Sequence, residues 1–248
     1  MKLPFTLLYA AFALIISSLL TPARAQPTYS RDLGELALGI YQQANSPGAL
    51  ERMRKDLIKA PEAYLVSIDQ PGVLVLPNKR RVRVPAMKYN VALRLLEVRD
   101  STGSHVWPPG SLDGFYMGKG ADTRHFRTFL VRNSGTERNF VEVLTADDNA
   151  FLVLAVLHHY VHDDAVLDPV LRTEVRPART EIGQVVVAGP SVTPQEPLRA
   201  ISLNRKEVTR LFGTRAPQVE AYAAKEHLSY TDLAQVLRMV EYYNLQGK

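Results

Sequence analysis

The chain has 248 residues, 46% of them apolar, with 30 Lys and Arg against 25 Asp and Glu. That supplies the core of one sizeable domain or two small ones and excludes a wholly disordered chain. The formal net charge of +5 is too mild for a nucleic-acid binder, which concentrates basic residues on one domain, and the absence of Cys excludes disulfides, thiolate metal sites and thiol catalysis.

In chain order, residues 1–25 read as a secretory signal peptide. Lys2 gives a positive start, residues 7–20 are almost uninterruptedly apolar, and Ala23-Arg24-Ala25 precedes a cleavage point at Gln26. Losing Lys2 and Arg24 leaves 28 basic and 25 acidic residues, a net of +3. No Cys follows the apolar run, so no lipoprotein anchor is expected, and no later run is long enough to span a bilayer. The mature chain is therefore expected to be exported, periplasmic or outer-membrane-associated, with no transmembrane segment and no nucleic-acid partner.

Residues 26–61 form an expected helical lead-in. Leu33, Leu36, Ala37 and Ile40 fall at helical spacing; Asn45-Ser46-Pro47-Gly48 interrupts, and residues 49–59 resume with Leu50, Met53, Leu57 and Ile58 on one side. From residue 62 to 200 the period becomes two, predicting an antiparallel β domain. Residues 64–68 read as a strand, Asp69-Gln70-Pro71-Gly72 as a turn with Gly at a positive-φ position, and residues 73–76 as a second strand. Pro77-Asn78 turns into the alternating residues 81–84, and residues 89–99 read as one further strand. Residues 105–107 and 115–117 flank a Pro-Pro-Gly turn; residues 126–131 and 140–145 follow; Asp147-Asp148-Asn149 then turns into residues 151–161.

Within that domain, residues 163–200 form a Pro-rich loop. Pro169, Pro177, Pro190, Pro194 and Pro197 are expected to confine two short β-prone pieces, residues 170–175 and 184–187, to edges or loops. Residues 201–248 predict a three-helix unit. Asn204 with Glu207 starts the first helix, Gly213 ends it, Pro217 opens the second, and Ser229 with Asp232 starts the third. On that third helix Leu233, Val236, Leu237, Val240 and Tyr243 share a face. The fold class is α+β: a barrel- or sandwich-like antiparallel sheet domain between a helical lead-in and a helical C-terminal unit.

The candidate chemistry lies in His158, His159, His162, Asp163 and Asp164, residue types that bind zinc. A His-Glu-x-x-His arrangement is absent. The run before the cluster, FLVLAVL, predicts a strand, which puts His158, Tyr160 and His162 on one face and His159 on the other. Residues i and i+4 of a strand stand about 13 Å apart, too far to share an ion. Strand-end histidines entering a loop are the simpler reading; a metal-assisted hydrolase is the alternative.

The basic run Lys79-Arg80-Arg81-Val82-Arg83 puts Lys79, Arg81 and Arg83 on one strand face. Such a stripe meets anionic lipid headgroups or acidic polymers, or protects a sheet edge from aggregation. No Gly-x-Ser-x-Gly elbow occurs; Asp147-Asp148-Asn149 lacks the other positions of a calcium loop; Gly118-Lys119-Gly120 is no phosphate loop. Trp107, Phe115, Tyr116, Phe126 and Phe129 read as core, with a sugar-stacking platform, hence a carbohydrate-binding module, as the alternative.

Several segments in order, VRVPAMKYN with LRLLEVRDSTG, WPPGSLDGFYM, RHFRTF, NFVEVLTADDNAFL, LNRKEVTRLFG and the closing MVEYYN, resemble a loosely defined group of uncharacterised exported proteins of Bacteroidota. The resemblance covers residues 82–244 and implies a β-rich half, a helical tail ending near Tyr-Tyr-Asn, and export. It brings no activity and no site residues. The expectation is a non-enzymatic cell-envelope module with no cofactor, binding an envelope protein, glycan or lipid surface through its sheet face or edge.

Overall fold

The structure is a computed structural model. It describes residues 61–101, 103–132, 136–146, 150–163, 165–167, 172–177, 179–190 and 196–247. The expected signal peptide, nearly all of the expected helical lead-in, Asp147-Asp148-Asn149 and Asp164 lie outside the described residues.

Among the described residues, twelve strands and three α-helices follow in order: β1 (Gln70–Val75), β2 (Arg81–Asn90), β3 (Leu95–Asp100), β4 (Gly103–Trp107), β5 (Gly114–Met117), β6 (Arg124–Arg132), β7 (Thr136–Val143), β8 (Leu152–Asp163), β9 (Val166–Leu167), β10 (Glu174–Arg176), β11 (Arg179–Pro190), β12 (Leu198–Ala200), α1 (Arg205–Leu211), α2 (Ala216–Lys225) and α3 (Leu233–Gln246). Ten strands form one sheet in the order β12-β11-β8-β7-β6-β5-β1-β2-β3-β4, and β12 also pairs with β6. That extra pairing, parallel at Leu198↔Val131 and Arg199↔Arg132, closes β6, β7, β8, β11 and β12 into a five-stranded barrel. The other five strands continue from β6 as an open arm.

Alternation decides what each barrel strand faces. Phe129, Val131, Val141, Val143, Val153, Ala155, Leu157, Val187 and Leu198 fill the barrel. On the outer wall, Leu152, Leu154 and Ala188 pack against Val208, Phe212, Val219, Ala223, Val236, Met239 and Val240 of the helical unit. Burying each of Val236, Met239 and Val240 contributes about 2 kcal/mol. The arm folds back over the rest of the wall: Leu74, Val84, Met87, Tyr89, Leu96, Val98, Phe115 and Met117 enclose Phe126 and Phe140. Four aromatic rings centre this layer, with Phe115 stacked on Phe126 at 4.6 Å and Phe140 edge-on to Phe115 at 5.1 Å.

Several expectations change. Residues 64–68 are no strand; Tyr64 makes a single bridge to Asn90 and bends follow. The strand expected over residues 89–99 is two strands, broken by a turn at residues 91–94 in which Arg94 takes φ 56°. The Asn90 side chain accepts from the Leu93 N–H at 2.9 Å and fixes that turn. Gly72 is not in a turn but inside β1, and its φ is not positive. Residues 184–187 belong to a strand of twelve residues, paired with β8 from Arg179↔Asp163 to Pro190↔Leu152 and flanked by β12. Pro177 and Pro190 bound this strand instead of excluding it. α1 starts as expected, Asn204 accepting from the Glu207 N–H at 2.9 Å. α3 is capped by Asp232, which accepts from the Gln235 N–H at 2.9 Å, while Ser229 lies outside the helix.

Within β2 the inward parity switches. Val82 and Val84 face the core before Pro85, Met87 and Tyr89 after it. The register against β1 slips by one residue between Gly72↔Val84 and Gln70↔Met87. A bulge at Pro85 accounts for both, since proline has no N–H to give the ladder.

Candidate functional site

Two places come from the sequence: the histidine cluster and the basic run. β8 is the expected strand, and it sends the histidines to different surroundings. His158 is 2% exposed on the outer wall. Its Nε2 lies 2.8 Å from Glu142 Oε2 on β7, which also takes Arg124 Nη2 of β6 at 2.5 Å, with Arg124 Nε on Oε1 at 2.8 Å. Among the described residues, His158 Nδ1 is buried without a partner.

His159 points the other way. Its ring packs over Gly183, where an added Cβ would stand 2.5 Å from the imidazole. His162 is exposed and contacts Thr180 Oγ1 at 2.9 Å; Asp163 is exposed opposite Arg179. Among the described residues no three His, Asp or Glu side chains are grouped to hold a metal ion. His158 and His162 share a face, yet one is buried in the Glu142–Arg124 contact and the other lies beyond it.

Glu142 and Arg124 were not legible as partners, being 18 residues apart on separate strands. Burial alone would raise the Glu142 pKa, but hydrogen bonds and charge from Arg124 and His158 outweigh it and hold the carboxyl at about 2, below its ordinary 4.5. A depressed folded-state pKa stabilises above the unfolded value, and that stability is lost as pH falls from about 4.5 towards 2. Discounted for the part of the carboxylate that solvent reaches, it amounts to about 2 kcal/mol. Glu142→Gln is expected to cost about that much at pH 7, with the difference from wild type vanishing near pH 2. Urea unfolding at several pH values checks this; a pH-independent difference contradicts it.

The basic run forms part of a concavity. Val73 pairs with Arg83 on one side and Tyr116 on the other, and Tyr116 pairs in turn with His125, so all four lie across one outward face of the arm. Val73, Arg83 and Tyr116, with Arg81, Pro71, Gly72 and Thr123 and the Gly118-Lys119-Gly120 turn, border a groove of about 840 Å³. Gly118 sits at φ 109°, a conformation that suits glycine, and an added Cβ would stand 2.7 Å from the Asp122 carbonyl oxygen. The groove's size suits a small group or a segment of a chain.

Arg81, Arg83 and Lys119 are exposed and take part in none of the ion pairs among the described residues. Lys79 does not extend the stripe. It lies in the turn at φ 64° and pairs with Asp113 at 2.6 Å. Tyr116 is held by neighbours: the His125 ring stacks on it at 4.3 Å, and the Arg81 guanidinium lies 5.4 Å from its centroid. Trp107 does not join it as a platform, because it packs into the opposite, core-facing layer of the arm. Phe115, Phe126 and Phe129 are buried, as expected for core.

No helix among the described residues is long and apolar enough to cross a membrane. No protein-family model matches the chain, and neither curated proteins nor solved structures give a match.

Proposed function

We propose that the chain is an exported, non-enzymatic binding module of the cell envelope, periplasmic or outer-membrane-associated, and related to the exported Bacteroidota group it resembles. In this reading the groove on the arm holds an anionic envelope component. The observation that supports it is the gathering of Arg81, Arg83 and Lys119 around one concavity with no carboxylate paired to them among the described residues. Like charges held together repel, and an incoming anion relieves that repulsion while gaining several contacts at once. Among the described residues the strand sends His158 and His159 to opposite faces and leaves His162 beyond the Glu142–Arg124 contact.

The test is co-sedimentation of the mature protein with isolated envelope fragments. Replacing Arg81→Gln and Arg83→Gln together is expected to weaken binding about ten-fold or more at low salt. Undiminished binding by that variant overturns the reading.

A further inference from the structure

We infer that the unpaired edge of β2, residues 81–85, takes up an extended acidic segment of a partner protein as an added strand. The inference rests on the groove reading and names its partner. β3 pairs with β2 only from Ala86 to Asn90, so among the described residues residues 81–85 have a ladder on the β1 side alone.

The hairpin fixes which backbone groups face outward. Leu76 donates to the Arg80 carbonyl at 2.9 Å, and alternation then puts the hydrogen-bonded pairs at Leu74↔Val82 and Gly72↔Val84. The N–H and C=O groups of Arg81 and Arg83, and the C=O of Pro85, therefore point away from β1. Arg81, Arg83 and Pro85 are exposed. Peptides bind such edges by main-chain hydrogen bonds, with alternate side chains giving specificity.

An added strand would set alternate side chains beside Arg81 and Arg83 at the groove, and the others beside Val82 and Val84. The matching segment alternates acidic and apolar residues. A second copy of this chain is disfavoured, since its own edge carries the same two arginines. A lipid surface is disfavoured because, among the described residues, the large exposed apolar side chains, Ile68, Phe151, Val166, Val175 and Leu245, all lie outside the groove and β2. A neutral glycan finds the Tyr116 ring already covered by His125 and Arg81.

The probe is a synthetic peptide alternating Glu and Val over about eight residues, titrated into the mature protein. It is expected to bind about ten-fold tighter than a scrambled peptide of the same composition and to slow hydrogen exchange at the Arg81 and Arg83 amides. Arg83→Pro removes one outward N–H and keeps the β1 ladder, so it should abolish the preference; Arg176→Gln, on β10, should not. Equal binding of the scrambled peptide, preferential binding of polygalacturonate or anionic vesicles, or unchanged binding by a folded Arg83→Pro overturns the inference. If Arg83→Pro does not fold, amide exchange in the wild-type protein decides: unslowed Arg81 and Arg83 amides in the bound protein overturn it. Absent peptide binding with envelope binding still dependent on Arg81 and Arg83 defeats this inference and leaves the groove reading standing. Envelope binding indifferent to both arginines defeats the groove reading itself.

Discussion

Gly72→Ala is expected to destabilise the protein by about 3 kcal/mol or more and to weaken binding at the groove with it. Gly72 lies inside β1, paired with Val84 of β2 and Met117 of β5. An added Cβ would fall well inside contact distance of the Tyr116 carbonyl oxygen and 2.5 Å from Met87 Cε. Met87 can rotate away, but the carbonyl belongs to the β5 backbone, so β1 and β5 must separate. Separation displaces Tyr116, and the groove loses its wall. Urea unfolding checks the stability, and co-sedimentation with envelope fragments checks the binding. A variant as stable as wild type would show that the arm packs less tightly than described.

Asn244→Ala is expected to cost about 3 kcal/mol. Asn244 is buried on α3 and bonds both backbone groups of Leu152: its Oδ1 accepts from the N–H and its Nδ2 donates to the C=O, each at 2.9 Å. The reason lies in the sheet. The Leu144 N–H bonds the Leu154 carbonyl at 3.0 Å, and one rung further β7 has ended. The side-chain amide supplies the missing rung and ties the helical unit to the barrel. Alanine leaves a buried donor and acceptor unpaired. Urea unfolding, with amide exchange at Leu152, checks it; unchanged exchange there would remove Asn244 from this role.

These two residues mark the limit of what is readable from the sequence. β8 was readable, because FLVLAVL is apolar on both faces and β-branched, and a barrel wall covered by helices needs that. The same strand reading separates His158 from His159 by alternation alone. α1 carried its own cap at Asn204. What was not legible depended on distant partners. Gly72 read as a turn residue because glycine also serves close approach, and only β5 shows which. Pro85 shifts the inward parity of β2, so a single alternating pattern could not run through residues 81–90. β11 hid behind the prolines that bound it, and the parallel β12–β6 contact that closes the barrel has no local signal. At the site, Arg81 and Arg83 stood out in sequence. Tyr116, Lys119 and Thr123 join them only through the pairing of β1 with β2 and β5.

The central claim is that placed cations, not overall basicity, hold the envelope component. The most direct measurement compares two variants of equal net charge, Arg81→Gln with Arg83→Gln and Arg172→Gln with Arg176→Gln, for binding to envelope fragments across a salt series. The groove variant is predicted to lose about ten-fold or more in affinity and much of the salt dependence, while the remote variant tracks wild type. Equal losses in the two variants would contradict the claim.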